Sequence, residues 1–121
     1  DGADNIEEIS SGFIHHLDLS IEVDLKERWD WAISIEVGEH IPPEREDVFI
    51  DNIAKHACKG IVLSWAVPGQ QGNGHINNRY NSHIIEQLKK RGFHHGLAEQ
   101  TFLRKYLSFA HLLNTIMVFI A

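Results

Sequence analysis

Eight consecutive residues, Gly60-Ile61-Val62-Leu63-Ser64-Trp65-Ala66-Val67, are almost wholly apolar and rich in strand formers. A strand with one wet face alternates polar and apolar side chains. An unbroken apolar run instead predicts a strand covered on both faces, as in a parallel sheet flanked by helices. Helical patterns occur on either side of it. Residues 44–58 place Val48, Phe49, Asn52, Ile53 and His56 at helical spacing, after a Pro42-Pro43 start. Residues 80–90 place Ile84, Ile85 and Leu88 on one face, and Gly92 closes that helix. Residues 99–113 place Phe102, Leu103, Tyr106, Leu107 and Leu113 on another. Further strands are predicted at Phe13-Ile14-His15-His16-Leu17, at residues 31–37 and at residues 115–120, with a weak signal over 93–97. The alternation argues for an α/β domain. A chain of 121 residues has room for one such domain.

Charge and cysteine usage narrow the classes of function. The formal net charge is −6, and Lys89-Lys90-Arg91, the only basic cluster, ends a predicted helix, where cations complement the macrodipole. A nucleic-acid partner is therefore not expected. Cys58, the one cysteine, sits among Ala54, Ala57 and Ile61 and reads as a small buried side chain. It excludes a disulfide framework and a cysteine-based zinc site. No apolar stretch reaches the roughly 18 residues of a membrane span, so no membrane partner and a cytoplasmic location are expected. Nine histidines include the pairs His15-His16 and His94-His95. Strand neighbours point to opposite faces, so neither pair chelates readily, and no native metal site is expected. Trp29, Trp31 and Trp65 read as packing residues.

Two segments converge on one edge of the sheet. Ligands of open α/β sheets bind beyond the carboxyl ends of the strands. The Glu36-Val37-Gly38-Glu39-His40 turn and the irregular segment 68–78 both fall at such ends. Carboxylates there can accept hydrogen bonds from an ammonium or a ribose, and His40 can move protons near neutral pH. Equally, Glu39 could cap the following helix and His40 could pack beneath Pro42.

The Glu36-Val37-Gly38-Glu39-His40-Ile41-Pro42 stretch resembles the segment after the fourth strand of class I S-adenosylmethionine (SAM) dependent methyltransferases. Gly12-Phe13-Ile14-His15-His16-Leu17-Asp18-Leu19 is similar to that family's third strand with its adenine-contacting acid. Lys59-Gly60-Ile61-Val62-Leu63-Ser64-Trp65 resembles the fifth. Arg91-Gly92-Phe93, a helix and Ile116-Met117-Val118-Phe119 resemble the usual ending. The resemblance implies a truncated Rossmann-like sheet, strands three to seven of the family order 3-2-1-4-5-7-6, with flanking helices, as a single partial domain over 1–121.

It also implies SAM as cofactor and methyl transfer to a small-molecule acceptor. Asp1 would be the acid that binds the ribose hydroxyls, followed by Gly2. Asp18 would accept from the adenine amino group, and Leu19 would offer its backbone amide. Glu36 and Val37 would line the methionine end. His75, with His40, would move the acceptor's proton, and Glu39, Asn77 and Arg79 would border the acceptor. In the alternative, 75–79 is a solvated loop with Asn77 or Asn78 capping the next helix.

The chain departs from the family at its front. It starts at Asp1, and no strand with a Glu/Asp-x-Gly-x-Gly turn precedes Asp18; Gly69-Gln70-Gln71-Gly72-Asn73-Gly74 follows the fifth-strand candidate instead. The expectation is an incomplete domain whose Trp31 strand has a bare edge: either it pairs with the Phe13 strand, or the chain self-associates or misfolds. A non-catalytic, methyltransferase-like interaction module is the alternative to an enzyme.

Overall fold

The computed structural model describes all 121 residues. Four strands form one mixed sheet in the order β1 (Trp29–Ser34), β2 (Ala57–Ser64), β4 (Ile116–Ile120), β3 (His94–His95). β1 runs parallel to β2, whereas β4 is antiparallel to both β2 and β3. In family positions this is the order 4-5-7-6 expected for the later half of the sheet. The apolar run is buried most completely on one face, where Ile61, Leu63 and Trp65 have at most 1% of their surface exposed; on the other, Ser64 and Ala66 are buried and Val62 is half-buried.

A 3-10 turn, Pro43–Arg45, leads into α2 (Glu46–His56), and α3 (Asn81–Lys90) follows the long loop. Helices α2 and α3 pack on the core face of the sheet. Phe49, Ile50 and Ile53 of α2 and Ile84 and Leu88 of α3 join Ile61, Leu63, Trp65, Met117 and Phe119 among the buried residues. Each such side chain stabilises by about 1.5–3 kcal/mol relative to exposure. Phe49 meets Trp65 edge-on at 5.6 Å between ring centroids. α4 (Leu97–Lys105) lies against β4, where the Arg104 guanidinium donates twice to the Ile116 carbonyl at 3.1 and 2.7 Å. No helix is long and apolar enough to cross a membrane.

Several local expectations are corrected. Residues 13–17 form no strand and do not pair with β1, whose outer edge is left uncovered. A short helix, α1 (Ile6–Ile9), precedes them. The helix expected over 99–113 ends at Lys105, and α5 (Leu112–Thr115) is separate. Phe102 and Tyr106 are each 67% exposed, so the apolar spacing there finds nothing to pack on, and short helices need such packing. Cys58 is exposed, because Ala57 takes the inward side at the start of β2 and its neighbour points out.

The irregular segment 17–25 is fixed by polar side chains of α2. Buried Asn52 accepts from Val23 N at 2.9 Å, while its amide nitrogen donates to the carbonyls of Leu19 (3.1 Å) and Ile21 (2.7 Å). His56 Nε2 accepts from Leu25 N at 3.1 Å. These bonds replace the strand ladder that 13–17 lacks. Asn52→Ala leaves the buried Val23 amide without its acceptor and should cost about 1–3 kcal/mol. Urea unfolding checks this; an unchanged midpoint would show that the clamp contributes nothing.

Candidate functional site

β1 ends at Ser34, two residues before Glu36 adopts φ +54. A left-handed non-glycine residue costs on the order of 1–3 kcal/mol and persists only where its surroundings dictate it. Here they do. Glu36 N donates to Ser64 Oγ at 2.8 Å, and that hydroxyl donates back to Glu36 Oε1 at 2.8 Å. Gln70 Nε2 donates to Oε2 at 3.4 Å. The end of β2 thus holds the carboxylate that follows β1.

This turn forms one wall of a cavity of about 640 Å³. The opposite wall comes from residues 1–3 and 16–19. All six expected cofactor residues, Asp1, Gly2, Asp18, Leu19, Glu36 and Val37, line it, together with His40 and Ile41. Asp1 is anchored to the neighbouring segment: its backbone nitrogen donates to His15 O at 3.0 Å, and Leu17 N donates to Asp1 O at 2.8 Å. That is the bonding pattern of a parallel bridge. Asp18 Oδ1 accepts from both Ser20 Oγ (2.7 Å) and Ser20 N (2.8 Å). Those two bonds hold its carboxyl below the usual range, so it is ionised at neutral pH, with Oδ2 left for another donor.

Next to the cavity, the 3-10 turn Gly38–His40 carries Glu39 fully buried. Its carbonyl accepts from Ile76 N (2.9 Å) and Asn77 N (3.0 Å), which ties the long loop to the turn. Neither carboxylate oxygen has a hydrogen-bond partner. Burial first, and then the charge and close contact of the neighbouring Glu36 carboxyl, push this carboxyl up. His75 Nε2 lies 3.9 Å from Glu39 Oε1, and the His40 and His75 rings meet edge-on at 5.0 Å. His40 is exposed rather than packed beneath Pro42, and no side chain caps α2. Glu39, expected at the acceptor, is sealed behind His75.

Asn77 and Arg79 do not reach the cavity. Buried Asn77 accepts from Trp65 Nε1 at 2.6 Å through its carbonyl, and its Nδ2 donates to Glu46 Oε2 at 3.0 Å. Arg79 Nε donates to the same Glu46 oxygen at 2.6 Å, and His83 meets Oε1. Neither asparagine caps α3; Asn78 Nδ2 donates to the carbonyls of Val67 (3.1 Å) and Gln70 (2.8 Å). These residues are scaffold. Glu46 lies in the first turn of α2, and nothing local in the sequence joins it to residues some thirty positions away.

Burial alone would raise the Glu46 carboxyl, but the bonds from His83, Arg79 and Asn77 outweigh it and hold it below its ordinary 4.5. A carboxyl lowered by folding contributes stability that is present above the unfolded value and lost as pH falls through the folded one. Stability should therefore decline below about pH 4.5. Glu46→Gln should flatten that decline and cost about 1–3 kcal/mol at neutral pH. Urea midpoints across the acid range check both; an acid limb unchanged by the substitution would refute the assignment.

No family model and no curated protein matches this sequence. Solved structures do. Magnesium protoporphyrin IX methyltransferase from Synechocystis PCC 6803 with bound S-adenosylhomocysteine (SAH) superposes with TM-score 0.60 at 19% identity, over 88% of this chain and 49% of that one. The same enzyme with bound SAM gives 0.58 at 20%, over 88% and 44%. The chain thus spans about half the length of these neighbours. At such identity the likeness is one of fold: the chain has the mixed, Rossmann-like α/β architecture of part of a methyltransferase domain.

Proposed function

We propose that this chain is the cofactor- and acceptor-binding part of a SAM-dependent methyltransferase acting on a small molecule. One observation carries the reading. Six residues assigned to the cofactor by family resemblance, spread from Asp1 to Val37, line a single cavity beyond the carboxyl ends of β1 and β2.

The cavity suits such a ligand chemically. Ionised Asp18 offers a fixed acceptor for an adenine amino group, and Leu19 and Val37 supply apolar wall beside it. Asp1 stands next to Gly2, and its Oδ1 is oriented by Ala3 N at 2.8 Å, as an acceptor for ribose hydroxyls. Glu36, held by Ser64, presents a carboxylate for the ammonium of the methionine end. SAM, when bound, supplies a methyl group on a sulfonium already activated for displacement. The chain's task is then to place an acceptor in line and manage its proton. His40, on the cavity wall with His75 and Glu39 behind it, marks the acceptor end.

A second reading has its own observation. Trp29, Trp31 and Ile33 on β1 are 45%, 43% and 71% exposed at a sheet edge without a strand partner. In a complete domain this edge would receive further strands of the same sheet. Used by itself, it would make the chain an interaction module that pairs with a second copy.

Titration calorimetry with SAH separates the two, with light scattering to report mass. Enzyme-type binding should be micromolar and weaken at least about tenfold in Asp18→Ala, since a hydrogen bond to a charged group is lost. A folded protein that forms dimers and takes up no SAH would replace the enzyme reading with the module.

A further inference from the structure

We propose that Glu39, His40 and His75 form a binding site for one divalent transition-metal ion at the acceptor end of the cavity. One donor atom from each residue can be chosen so that all three lie within 4.8 Å of one another. Donors around an ion with bonds of about 2.1 Å stand roughly 3–4 Å apart, so closure asks only small side-chain shifts.

Three features support an ion here over a chance cluster. Glu39 is fully buried, and its oxygens meet no fixed donor, only the Glu36 carboxyl and, at 3.9 Å, His75 Nε2. Buried carboxylates are ordinarily paired or bound to metal. Both histidines are also prepared as ligands. His40 Nδ1 lies 3.0 Å from Gly74 O, and His75 Nδ1 lies 3.3 Å from Gln70 O. Each carbonyl can only accept, so each Nδ1 is the donor, which makes Nε2 the ligand atom of the neutral ring. A backbone carbonyl behind the ring is the usual support of a metal-bound histidine. Finally, the loop is shaped around them. A Cβ on Gly72 would stand 2.2 Å from His75 Nε2 and 2.4 and 2.5 Å from the two ring carbons beside it, so only a glycine lets the loop pass over that end of the ring. The glycines of 69–74 thus seat two histidines instead of a phosphate.

Two imidazoles and one carboxylate suit zinc, cobalt, iron or nickel better than magnesium or calcium. Three protein donors leave coordination positions for another ligand. Because His40 also lines the cavity, that ligand would be an acceptor oxygen or nitrogen. This last step rests on the methyltransferase reading; the ion site itself does not.

The test is titration of chelator-stripped protein with Co²⁺ alone, read by visible absorption and by calorimetry. One ion per chain should bind, and Glu39→Gln and His75→Ala should each weaken it at least about tenfold. Glu39→Gln keeps the shape of the buried side chain, and circular dichroism confirms the fold. His94→Ala, on an exposed strand residue outside the cluster, should change nothing. Absence of stoichiometric binding by folded protein, or binding indifferent to Glu39→Gln, would overturn the site. Co²⁺ binding without SAH binding would keep the ion site and reject the cofactor reading.

Discussion

Glu46 is a carboxylate drawn into the interior by an otherwise apolar helix face, and the loop after β2 is built around satisfying it. An unpaired charge at that depth would cost several kcal/mol, so donors must come to it. They come from one short stretch of chain: Asn77, Arg79 and His83. The same Asn77 takes the indole N–H of Trp65, the largest fully buried side chain. Trp65 in turn lies against Gly38, where a Cβ would come within 2.3 Å of its ring. One buried network therefore fixes α2, the end of β2, the Gly38 turn and the long loop relative to one another. The positions of His40 and His75 are consequences of it.

A second lock acts on the cavity's other side. Ser64, the last residue of β2, exchanges hydrogen bonds with the backbone and carboxylate of Glu36. This holds Glu36 in a left-handed conformation that its own preference opposes. Asn52 and His56 perform a comparable task for 19–25, using side-chain bonds where the sheet offers none. The two walls of the cavity are thus positioned by different elements, β2 and α2, which follow one another directly in the chain and pack together in the core.

Where the sequence misled, it did so through pattern without partner. The spacing of Phe102 and Tyr106 is helical, but no surface faces them and the helix stops. Phe13 sits in a good strand pattern and is 87% exposed, because no sheet edge is brought to it. The Glu36–His40 motif and Asp18-Leu19 were legible because their chemistry is local: acids and a histidine at the turns that end strand-like segments. The histidine pairs drew attention through adjacency, while the cluster that forms joins residues 39, 40 and 75.

Periodicity and composition determined by themselves that this chain makes an α/β layer with its strongest strand buried on both faces. Those signals depend on each residue's immediate neighbours along the chain. The amino-acid pattern also singled out two turns, at Asp18 and at Glu36, whose residues line one cavity. Only the tertiary structure decided the use of the polar residues: Asn77, Arg79 and Asn52 as scaffold, and Glu39 with His40 and His75 as one cluster. A polar side chain's role depends on what burial deprives it of and which partner lies within about 3 Å, and that distance is set by packing between segments far apart in sequence.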